Sequence, residues 1–560
     1  MNILLIYPYP LEDRLQADDV NVVPIGLWYI AAVLKERGHQ IEVLNWFDMK
    51  NRASDIEREL IRRKPDIIGC SILNANRWGG IEIARIAKKI DPNVKVVFGG
   101  PTPTCLWEHF LTHFSEIDLV VIGEGERSFL NLIEHLSAGD SEGMESVSGI
   151  AFRKEGRCVR TKDADRIELL DELPIPSRYF RYQHVASSRG CVNKCTFCAS
   201  PSSWDRRIRT HSPDYFVDQI ELLVQKGVSF FYVSDDTFTI HRDRVIAICK
   251  MILERNLKIS WYAISHVGYV DVEILYWMRK AGCIQISYGV ESGSEKIRKQ
   301  LQKHITNDQI RRAFKLTTQY GILARAYLIY GCPGETWETI QETIDLIHDI
   351  KPLSVVFYIL DIFPGTALYN DMIRRLDLSD DIWLEEIEDI MYWETDPALS
   401  KDLVLSFGQK LRSDYHRHLS DFADAVELVD DPELYTTHAE FLSRLGLTFT
   451  HGDYAGIEAI PEKEATAARL FERSLAYRPN ARAYLGLGTI LQKRGEHRES
   501  IRLLAEGAAR LPDIAELNIC LGVSYMNLGR FKEGLECFSK FPNDPQARRH
   551  METCLRALGK

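Results

Sequence analysis

Three cysteines lie so close together in the chain that they can share one inorganic cofactor. They are Cys191, Cys195 and Cys198, within Ser187-Ser-Arg-Gly-Cys-Val-Asn-Lys-Cys-Thr-Phe-Cys198. Three thiolates at this spacing can hold three corners of a cubic iron–sulfur cluster, whose complete ligation takes four. The next cysteine, Cys249, is far along the chain in a predicted helix. One iron is then left open for a substrate atom, just as a catalytic zinc site keeps an open position.

Two simpler interpretations of these cysteines stay open at this point. A zinc ion would need a fourth ligand, which His184 or His211 can supply. Cysteines also pack as small apolar residues in protein cores. The spacing and the position after a predicted strand favour the iron–sulfur cluster.

The cysteines follow the first of six predicted strand–helix units, in a region that we assign to residues 181–375. The predicted strands are Val185–Ser188, Ser229–Ser234, Ser260–Ser265, Ile284–Val290, Ala326–Gly331 and Val355–Phe363. Helical patterns fill the gaps, as the crossovers between parallel strands require. Six units are too few for a closed eight-stranded barrel, so the pattern predicts a partial (β/α)6 barrel. Its reactive centre should lie on the loops at the C-terminal ends of the strands.

Residues 1–145 show a second alternation of strands and helices. The predicted strands are Ile3–Tyr7, Ile41–Asn45, Asp66–Ser71, Lys95–Gly99 and Asp118–Ile122. Five such strands predict a flavodoxin-like, Rossmann-type α/β domain that binds ligands at the carboxyl ends of its strands. A small β segment and a proline-marked linker, residues 146–180, connect this domain to the barrel.

The C-terminal part of the chain is predicted to be all-α. Residues 376–455 form a helical connector without a recognisable motif. In residues 456–560 a 34-residue period relates Gly488 to Gly522 and Gly495 to Gly529. A helix–turn–helix period of 34 residues resembles the tetratricopeptide repeat. With about two and a half repeats, the segment packs on its own chain and can also recruit a protein partner.

The CxxxCxxC motif at the end of the first strand of a six-unit barrel resembles the radical S-adenosylmethionine (SAM) superfamily. The resemblance implies that Cys191, Cys195 and Cys198 hold a [4Fe-4S] cluster whose open iron binds the amino and carboxylate groups of SAM. An electron from a flavodoxin- or ferredoxin-type donor then cleaves SAM to a 5′-deoxyadenosyl radical, which abstracts a hydrogen atom from the substrate.

The same resemblance implies SAM contacts at the ends of the other strands. Asp235 and Asp236 close the second strand, where the family meets the SAM amino group, although Asp236 can also simply cap a helix. Glu291 and Ser292 end the fourth strand, where relatives hold the ribose and the amino acid moiety. Arg325 begins the fifth strand and either pairs with the SAM carboxylate or lies on the surface. The other expected contacts are Phe197, Gly331, Pro333, Gly334, Pro364 and Gly365.

Joined to such a barrel, the N-terminal domain resembles the cobalamin-binding domain of B12-dependent radical SAM enzymes. Tyr7-Pro-Tyr-Pro10 stands where a dinucleotide site would have GxGxxG. Gly-rich strand ends leave room for a flat macrocycle, and the residues expected to contact it are Ser71, Gly99, Gly100, Thr104, Gly123, Glu124 and Gly125. The Asp-x-His-x-x-Gly motif that supplies an axial histidine elsewhere is absent, and His39 lies before the second strand. We therefore expect a cobalt without a protein histidine; a vestigial domain without cofactor is the alternative.

Composition narrows the partners and the location. The 560 residues include 69 Lys+Arg and 80 Asp+Glu, a net charge of −11 that argues against nucleic-acid and anionic-membrane binding. No apolar run reaches the roughly 20 residues that a membrane span needs, and the first residues do not resemble a signal peptide. We expect a cytoplasmic protein whose 12 cysteines stay reduced.

These patterns predict a cobalamin-dependent radical SAM enzyme that methylates an unactivated carbon of a small-molecule or peptide substrate, through a 5′-deoxyadenosyl radical and methylcobalamin. Aromatic residues that can line its pocket, or fill the core, are Trp204, Tyr262, Tyr327 and Tyr358.

Three other functions are weighed against this one. A radical cyclase or rearrangement enzyme would use the same cofactors without methyl transfer. A methylthiotransferase would need a second N-terminal cluster, whereas Cys70, Cys105 and Cys158 lie far apart in the sequence. An interaction protein built on its repeats, with a vestigial cobalamin domain, would have no use for the cysteine motif.

Overall fold

The computed structural model describes residues 1–11, 22–138 and 143–559. Its first sheet has seven strands in the order β2-β1-β3-β4-β5-β6-β7. They are β1 (Asn2–Tyr7), β2 (Gln40–Asn45), β3 (Ile67–Ser71), β4 (Lys95–Gly99), β5 (Leu119–Val121), β6 (Ile150–Lys154) and β7 (Arg157–Arg160). Strands β1 to β5 pair in parallel, and β6 and β7 add antiparallel to the β5 edge. The predicted β segment therefore extends this sheet.

Helices cover both faces of the first sheet. They are α1 (Ile25–Glu36), α2 (Ala53–Arg63), α3 (Arg77–Ile90), α4 (Pro101–Cys105), α5 (Trp107–His113) and α6 (Gly125–Ser137). Successive side chains of a strand point to opposite faces. On β1, Leu4 and Ile6 join one hydrophobic cluster, and Ile3 and Leu5 join another on the opposite face. Continuous apolar strands are thus buried between two helical layers.

The second sheet has six parallel strands in the order β15-β14-β13-β12-β11-β8. They are β8 (His184–Val185), β11 (Phe230–Val233), β12 (Ser260–Ser265), β13 (Cys283–Glu291), β14 (Leu323–Tyr330) and β15 (Ser354–Ile359). Two short antiparallel pairs accompany it: β9 (Ser188–Arg189) with β10 (Arg209–Thr210), and β16 (Asp361–Ile362) with β17 (Ile390–Met391). Because β8 and β15 do not pair, the barrel is open, as six units predict.

Helices pack on the convex side of this sheet. The short helices α7 (Ser200–Trp204) and α11 (Glu295–Gln300) contribute no residue to its hydrophobic cluster. The helices that form this layer are α8 (Pro213–Gln225), α9 (Arg242–Glu254), α10 (Val272–Lys280), α12 (Asn307–Gln319) and α13 (Trp337–Ile350). Along β14, Ala324, Ala326 and Leu328 are buried in the cluster that these helices share. The alternating residues Arg325 and Tyr327 are half-buried on the concave side.

After the barrel come α14 (Ala367–Leu376), α15 (Lys401–Asp424) and α16 (Tyr435–Thr450).

The two α/β units share one hydrophobic core. Phe98 and Phe110 of the N-terminal unit lie in the same buried cluster as Leu360 of the barrel and Trp383. The Arg77 guanidinium stacks on the Trp383 ring at 4.7 Å. The ligand-binding edge of the first sheet is therefore held against the barrel.

The C-terminus is helical and repeats its helix positions. It consists of α17 (Lys463–Tyr477), α18 (Ala481–Lys493), α19 (His497–Arg510), α20 (Ala515–Asn527), α21 (Phe531–Ser539) and α22 (Pro545–Ala557). Helix α20 begins 34 residues after α18, and α21 begins 34 residues after α19. Gly488 packs closely on Leu504, and Gly522 packs in the same way on Phe538. Across the described residues, no helix has both the length and the apolar character of a membrane span.

Candidate active site

The cysteine loop, residues 190–199, runs from β9 to α7 and is pinned at its centre. The Thr196 N–H donates to the Leu301 carbonyl at 3.0 Å, and the Thr196 carbonyl accepts the Leu368 N–H at 2.9 Å. Asn193 Nδ2 donates to the Cys191 Sγ at 3.3 Å, and the Ser200 N–H donates to the Cys198 Sγ at 3.4 Å. Hydrogen bonds to cluster-ligating sulfurs tune the reduction potential of an iron–sulfur cluster.

The three cysteine sulfurs are too far apart for all of them to bind one ion. Among the described residues, two sets of three side chains have their possible metal-ligand atoms within 4.8 Å of one another. The three cysteines belong to neither set. Two thiolates on one zinc lie at most about 4.6 Å apart, since a Zn–S bond is about 2.3 Å long. His211, considered above as a zinc ligand, instead stacks between Tyr29 and Tyr215. The zinc alternative is therefore disfavoured.

Burial favours the protonated form of the Cys195 and Cys198 thiols. It raises the pKa of Cys195 to about 11 and that of Cys198 to about 12. The charges of neighbouring cysteines contribute to both shifts, which shows that the three thiols lie within electrostatic reach of one another. Thiolates are the metal-binding form, so cluster binding must displace these protons.

A buried ion pair stands beside the cysteines. Lys303 Nζ lies 2.9 Å from Glu291 Oε1, and both side chains are buried. Burial alone would lower the pKa of Lys303, but Glu291 and Cys195 together raise it. Glu291 adopts a left-handed φ of +65°, a strained conformation that clusters at functional sites. Lys303, which no sequence motif indicated, therefore brings positive charge to the cysteines.

The two predicted aspartates have different surroundings. Asp235 is 1% exposed, and its carboxylate accepts the Ser187 N–H, the Ser187 hydroxyl and the Ser188 hydroxyl, each at 2.6 Å. Asp235 thus fastens the segment that enters the cysteine loop. Asp236 is exposed and accepts the Ser200 hydroxyl at 2.7 Å, beside the end of that loop.

Helix capping does not account for Asp236. The nearest regular helix, α9, has His241 at its N-cap, with no side-chain capping hydrogen bond. The helix-capping alternative is therefore wrong. A SAM contact of Asp236 stays a prediction, and its accessible carboxylate is consistent with it.

The loop after β14 is closed by a carboxylate that the sequence analysis did not single out. Glu335 is buried and accepts the N–H groups of Gly331 and Cys332, the latter at 3.1 Å. Gly331 and Gly334 both have left-handed φ angles, +79° and +66°, and flank Pro333 in this tight loop. Burial raises the pKa of Glu335 to about 7.

Three other predicted SAM positions face different neighbours. The Ser292 hydroxyl is turned to α13, 3.3 Å from the Thr343 hydroxyl. Phe197 packs against the core that the two α/β units share. Arg325 lies on the concave face near the beginning of β14 and not at its C-terminal end. Their SAM contacts stay predictions.

A cavity of about 350 Å³ lies where the barrel meets the N-terminal domain. Cys105 of α4 and Gly365, which follows Pro364 after β16, line it together with Tyr369. Gly365 has a φ of +79°, and a Cβ on it would overlap the Cys105 Sγ. Loops of both units thus converge on one space.

The N-terminal loops close to Cys105 are interlocked. The Thr104 hydroxyl donates to the Gly100 carbonyl at 2.8 Å and accepts the Gly123 N–H at 3.0 Å. Gly100 has a φ of +106°, and a Cβ there would come within 2.8 Å of the Ile72 carbonyl, one residue beyond Ser71. A Cβ on Gly125 would come equally close to Ile30, at 2.7 Å.

These loops fit a large flat ligand. A Cβ on Gly123 would meet nothing within 4 Å, and one on Gly99 would meet only the β5 residue Val121, at an ordinary 3.7 Å. Open space therefore borders the strand ends, as a macrocycle requires. His39 directly precedes β2 and therefore lies at the amino ends of the parallel strands. The ligand would lie at their carboxyl ends, out of reach of His39.

A buried charge network joins the N-terminal loops to the cysteine loop. Arg189, two residues before Cys191, donates to Glu124 at 2.7 Å and to Glu126 at 2.5 Å. Arg209 also donates to Glu124, at 2.8 Å. Burial opposes the ionisation of Glu124, but these two arginines outweigh it and lower its pKa. Glu124, predicted to contact a corrin, thus binds the arginine that begins the cysteine loop.

Comparison with known proteins agrees with this architecture. Residues 185–347 match the Radical SAM superfamily, and residues 19–133 match the B12 binding domain. An uncharacterized methyltransferase of Pyrococcus horikoshii is 31% identical over 383 residues, which cover 66% of this chain and 83% of that protein. The anaerobic magnesium-protoporphyrin IX monomethyl ester cyclase of Rubrivivax gelatinosus is 30% identical over 380 residues, which cover 64% of this chain and 68% of the cyclase.

A solved structure has the same fold at low sequence identity. It is the radical S-adenosylmethionine methyltransferase TsrM from Kitasatospora setae, with cobalamin and a [4Fe-4S] cluster bound. The TM-score is 0.60 at 16% identity, and the match covers 85% of this chain and 100% of that chain. At this identity the likeness concerns the fold alone.

Proposed function

This chain belongs to the radical SAM enzymes that carry a B12-binding domain, and we propose that it methylates an unactivated carbon of its substrate. Its cofactors are a [4Fe-4S] cluster, SAM and cobalamin. When bound, cobalamin would supply a transferable methyl group, and the cluster with SAM would supply the one-electron chemistry that activates the substrate carbon. The protein sets the geometry of these steps.

The observation that carries the proposal is the convergence of two sets of loops. Cys105 and Gly365 line the cavity between the domains, and Glu124 binds Arg189 at the entrance to the cysteine loop. A methyl donor at the N-terminal strand ends would then face the barrel mouth. A radical formed at the barrel mouth and a methyl group held at the N-terminal loops can meet at one substrate, which a rearrangement alone would not require.

The residues of the chain have distinct roles in this proposal. Cys191, Cys195 and Cys198 hold the cluster, and Asp236 offers an accessible carboxylate to the SAM amino group. Lys303 keeps positive charge beside the thiolates, which offsets part of their negative charge. Asp235 and Arg189 act as positioning residues, since they hold the segment before the cysteine loop; a SAM contact of Asp235 stays a prediction.

Product analysis on anaerobically reconstituted enzyme tests the proposal. Enzyme with SAM, cobalamin and a reductant should yield both 5′-deoxyadenosine and S-adenosylhomocysteine over a screen of small molecules and peptides. Cys158→Ser, a change away from the cysteine loop, should behave like the wild type. Absence of both products throughout the screen would contradict the proposal.

A radical cyclisation is the second candidate, favoured by the relative in Rubrivivax gelatinosus that is named a cyclase. It would use the same cluster loop without transferring a methyl group. The same experiment separates the two functions: 5′-deoxyadenosine without S-adenosylhomocysteine or methylated product selects the cyclisation.

We also propose that the C-terminal helices are tetratricopeptide-like repeats that recruit a protein partner. The support is the 34-residue spacing of α18 to α20 and of α19 to α21. Partner capture should be compared between the full-length enzyme and a variant truncated before α17. Equal capture and equal turnover by both would leave these helices a purely structural role.

A further inference from the structure

The concave face of the barrel sheet carries two groups of aromatic side chains. The first group comes from β8, β11 and β12. The His184 and Tyr232 rings stack with centroids 4.3 Å apart, and the Phe230 ring packs edge-on against Tyr232 at 4.9 Å and Tyr262 at 4.8 Å. The second group comes from the other end of the sheet, where Tyr327 of β14 meets Tyr358 of β15 at 5.8 Å.

Strand register places these residues on one face. Tyr232 is level with His184 and Tyr262 in the neighbouring strands, and Tyr327 is level with Gly289 of β13. The curvature of a partial barrel turns the two ends of the sheet toward each other. Between the two aromatic groups, β13 contributes the polar side chains Gln285 and Ser287.

The aromatic side chains of this face are half-buried or exposed, whereas Gln285 and Ser287 between them are buried. Tyr358 is 41% exposed, and Ile264 on the same face of β12 is 36% exposed. The adjacent Ala263, which points to the convex side, is 1% exposed. Large apolar groups with this accessibility on the inner face of a barrel border open space and mark a binding cleft.

Arg325 contributes a positive charge to this face. Arg325 is level with Ser287 on one side and with Ser354 on the other, and its Nε donates to the Ser354 hydroxyl at 3.0 Å. Over the part of the chain that the structure describes, Arg325 has no carboxylate within 4.0 Å, unlike the buried Arg189. Tyr262 lies within electrostatic reach of Arg325, Arg444 and Asp453.

The position of Arg325 along β14 separates it from the cluster. Arg325 lies five residues before the strand end at Tyr330, which corresponds to about 17 Å of strand. SAM bound to an open iron near Cys195 lies at the C-terminal end of the strands. A substrate that extends from that end into the barrel is better placed to meet Arg325.

We propose that the concave face binds a substrate with a flat, conjugated body and a carboxylate group. Stacked and edge-on aromatic contacts hold the flat body between the two aromatic groups. The terminal nitrogens of Arg325 form a charge-assisted, bidentate pair with the carboxylate. This inference rests on the proposed function in placing the substrate at the barrel mouth, and it adds the substrate class and the residue that selects it.

Binding of two matched probes tests the substrate class without turnover. The probes are 2-naphthoate and its neutral analogue 2-naphthamide, measured by equilibrium dialysis against reconstituted enzyme with SAM and no reductant. The wild type should bind 2-naphthoate about tenfold more tightly than 2-naphthamide, the size expected for one charged hydrogen-bonded pair. Arg325→Gln should abolish this preference, and Tyr358→Leu should weaken both probes while keeping it.

Arg312→Gln, which removes a charge from the exposed side of α12, is the matched control and should retain the preference. Equal binding of the two probes by the wild type would overturn the inference, as would an unchanged preference in Arg325→Gln. A loss of SAM affinity in Arg325→Gln with the probe preference intact would assign Arg325 to the SAM carboxylate instead. Since no methyl transfer occurs in this assay, its outcome is independent of the test of the proposed function.

Discussion

The cysteine loop and the N-terminal loops are linked by the Arg189–Glu124 pair, but they are held in different ways. Buried charges surround the cysteine loop: Asp235 accepts three hydrogen bonds before it, Arg189 binds two glutamates, and Lys303 pairs with Glu291. The N-terminal loops are shaped by close packing at Gly100 and by the neutral hydrogen bonds of Thr104.

The difference follows from what each region has to bind. Cluster ligands must keep their sulfurs at fixed positions, and buried, directional hydrogen bonds to charged groups provide that. A large flat cofactor needs room and backbone contact, which the absence of side chains provides. Breaking a buried charge pair costs much more than a local steric change, so the two regions should differ in their sensitivity to mutation.

The largest effect is expected where the cluster is ligated. Cys195→Ala removes one of three thiolates, so the iron content should fall and 5′-deoxyadenosine formation should cease. Iron quantitation and product analysis under anaerobic conditions check this. Cys158→Ser is the control and should keep both. An unchanged iron content with intact turnover in Cys195→Ala would remove the basis of the proposed function.

The next effect concerns the charge network between the two regions. Glu124→Gln leaves Arg189 and Arg209 with less buried negative charge, so we expect a loss of about 3–5 kcal/mol of stability. The midpoint of thermal unfolding and the cluster absorbance should both fall.

Arg127→Gln is the matched control for this network. It breaks an exposed pair with Glu172 that also links the N-terminal unit to the linker. Exposed pairs contribute about 0–1 kcal/mol, so this variant should remain close to the wild type. Similar losses in the two variants would mean that burial does not distinguish the two contacts.

Glu335, the buried carboxylate of the loop after β14, makes the stability of the protein depend on pH. Its pKa is about 7 in the folded protein, against 4.5 for the free side chain. Between pH 4.5 and about pH 7, the folded state therefore keeps the Glu335 proton, whereas the unfolded state loses it. The free energy of unfolding falls as the pH rises through this range, by up to about 3 kcal/mol. Thermal unfolding of wild type and Glu335→Gln at pH 5 and pH 8 measures it.

The Glu335→Gln variant should lose this part of the pH dependence. Glu342→Gln, an exposed change on α13, should keep it. If wild type and Glu335→Gln respond equally to pH, the buried carboxylate is already ionised at pH 5.

The smallest effects are expected from glycines of the N-terminal loops. Gly100→Ala places a side chain at a φ of +106° against the Ile72 carbonyl, so it should cost about 1–3 kcal/mol. Gly99→Ala meets only an ordinary contact at 3.7 Å and should leave stability nearly unchanged. Its methyl group should nevertheless weaken cobalamin binding, measured by equilibrium dialysis. Unchanged cobalamin affinity in Gly99→Ala would show that this glycine does not face the corrin.

Much of the fold could be predicted from the sequence because periodicity is a local property. The β1 and β12 strands were predicted within a residue, and the 34-residue period reappears in the helix starts. The sixth barrel strand was predicted as one segment, Val355–Phe363, but the chain breaks it into β15 and β16. The second of these pairs with β17 of the post-barrel segment, a partner whose position the local pattern does not contain.

The candidate site was predictable only in part. The cysteines carry a spacing signal, whereas Lys303 and Glu335 are single charged residues with no pattern around them. Glu124 was predicted to contact a corrin because it lies between two glycines at a strand end. That pattern did not indicate that its partner is Arg189. A charged residue two positions before the first cysteine of the motif was the only hint of that contact in the sequence.

The amino-acid sequence by itself determined the order of the domains, the parallel strand–helix alternation and the three-cysteine motif, because each depends on residues that are neighbours in the chain. Tertiary structure alone decided which charges are buried together, which face of the barrel stays open, and that Arg325 lies among aromatic side chains. These features depend on strand register and on the contact between two domains, and both bring together residues from distant parts of the chain.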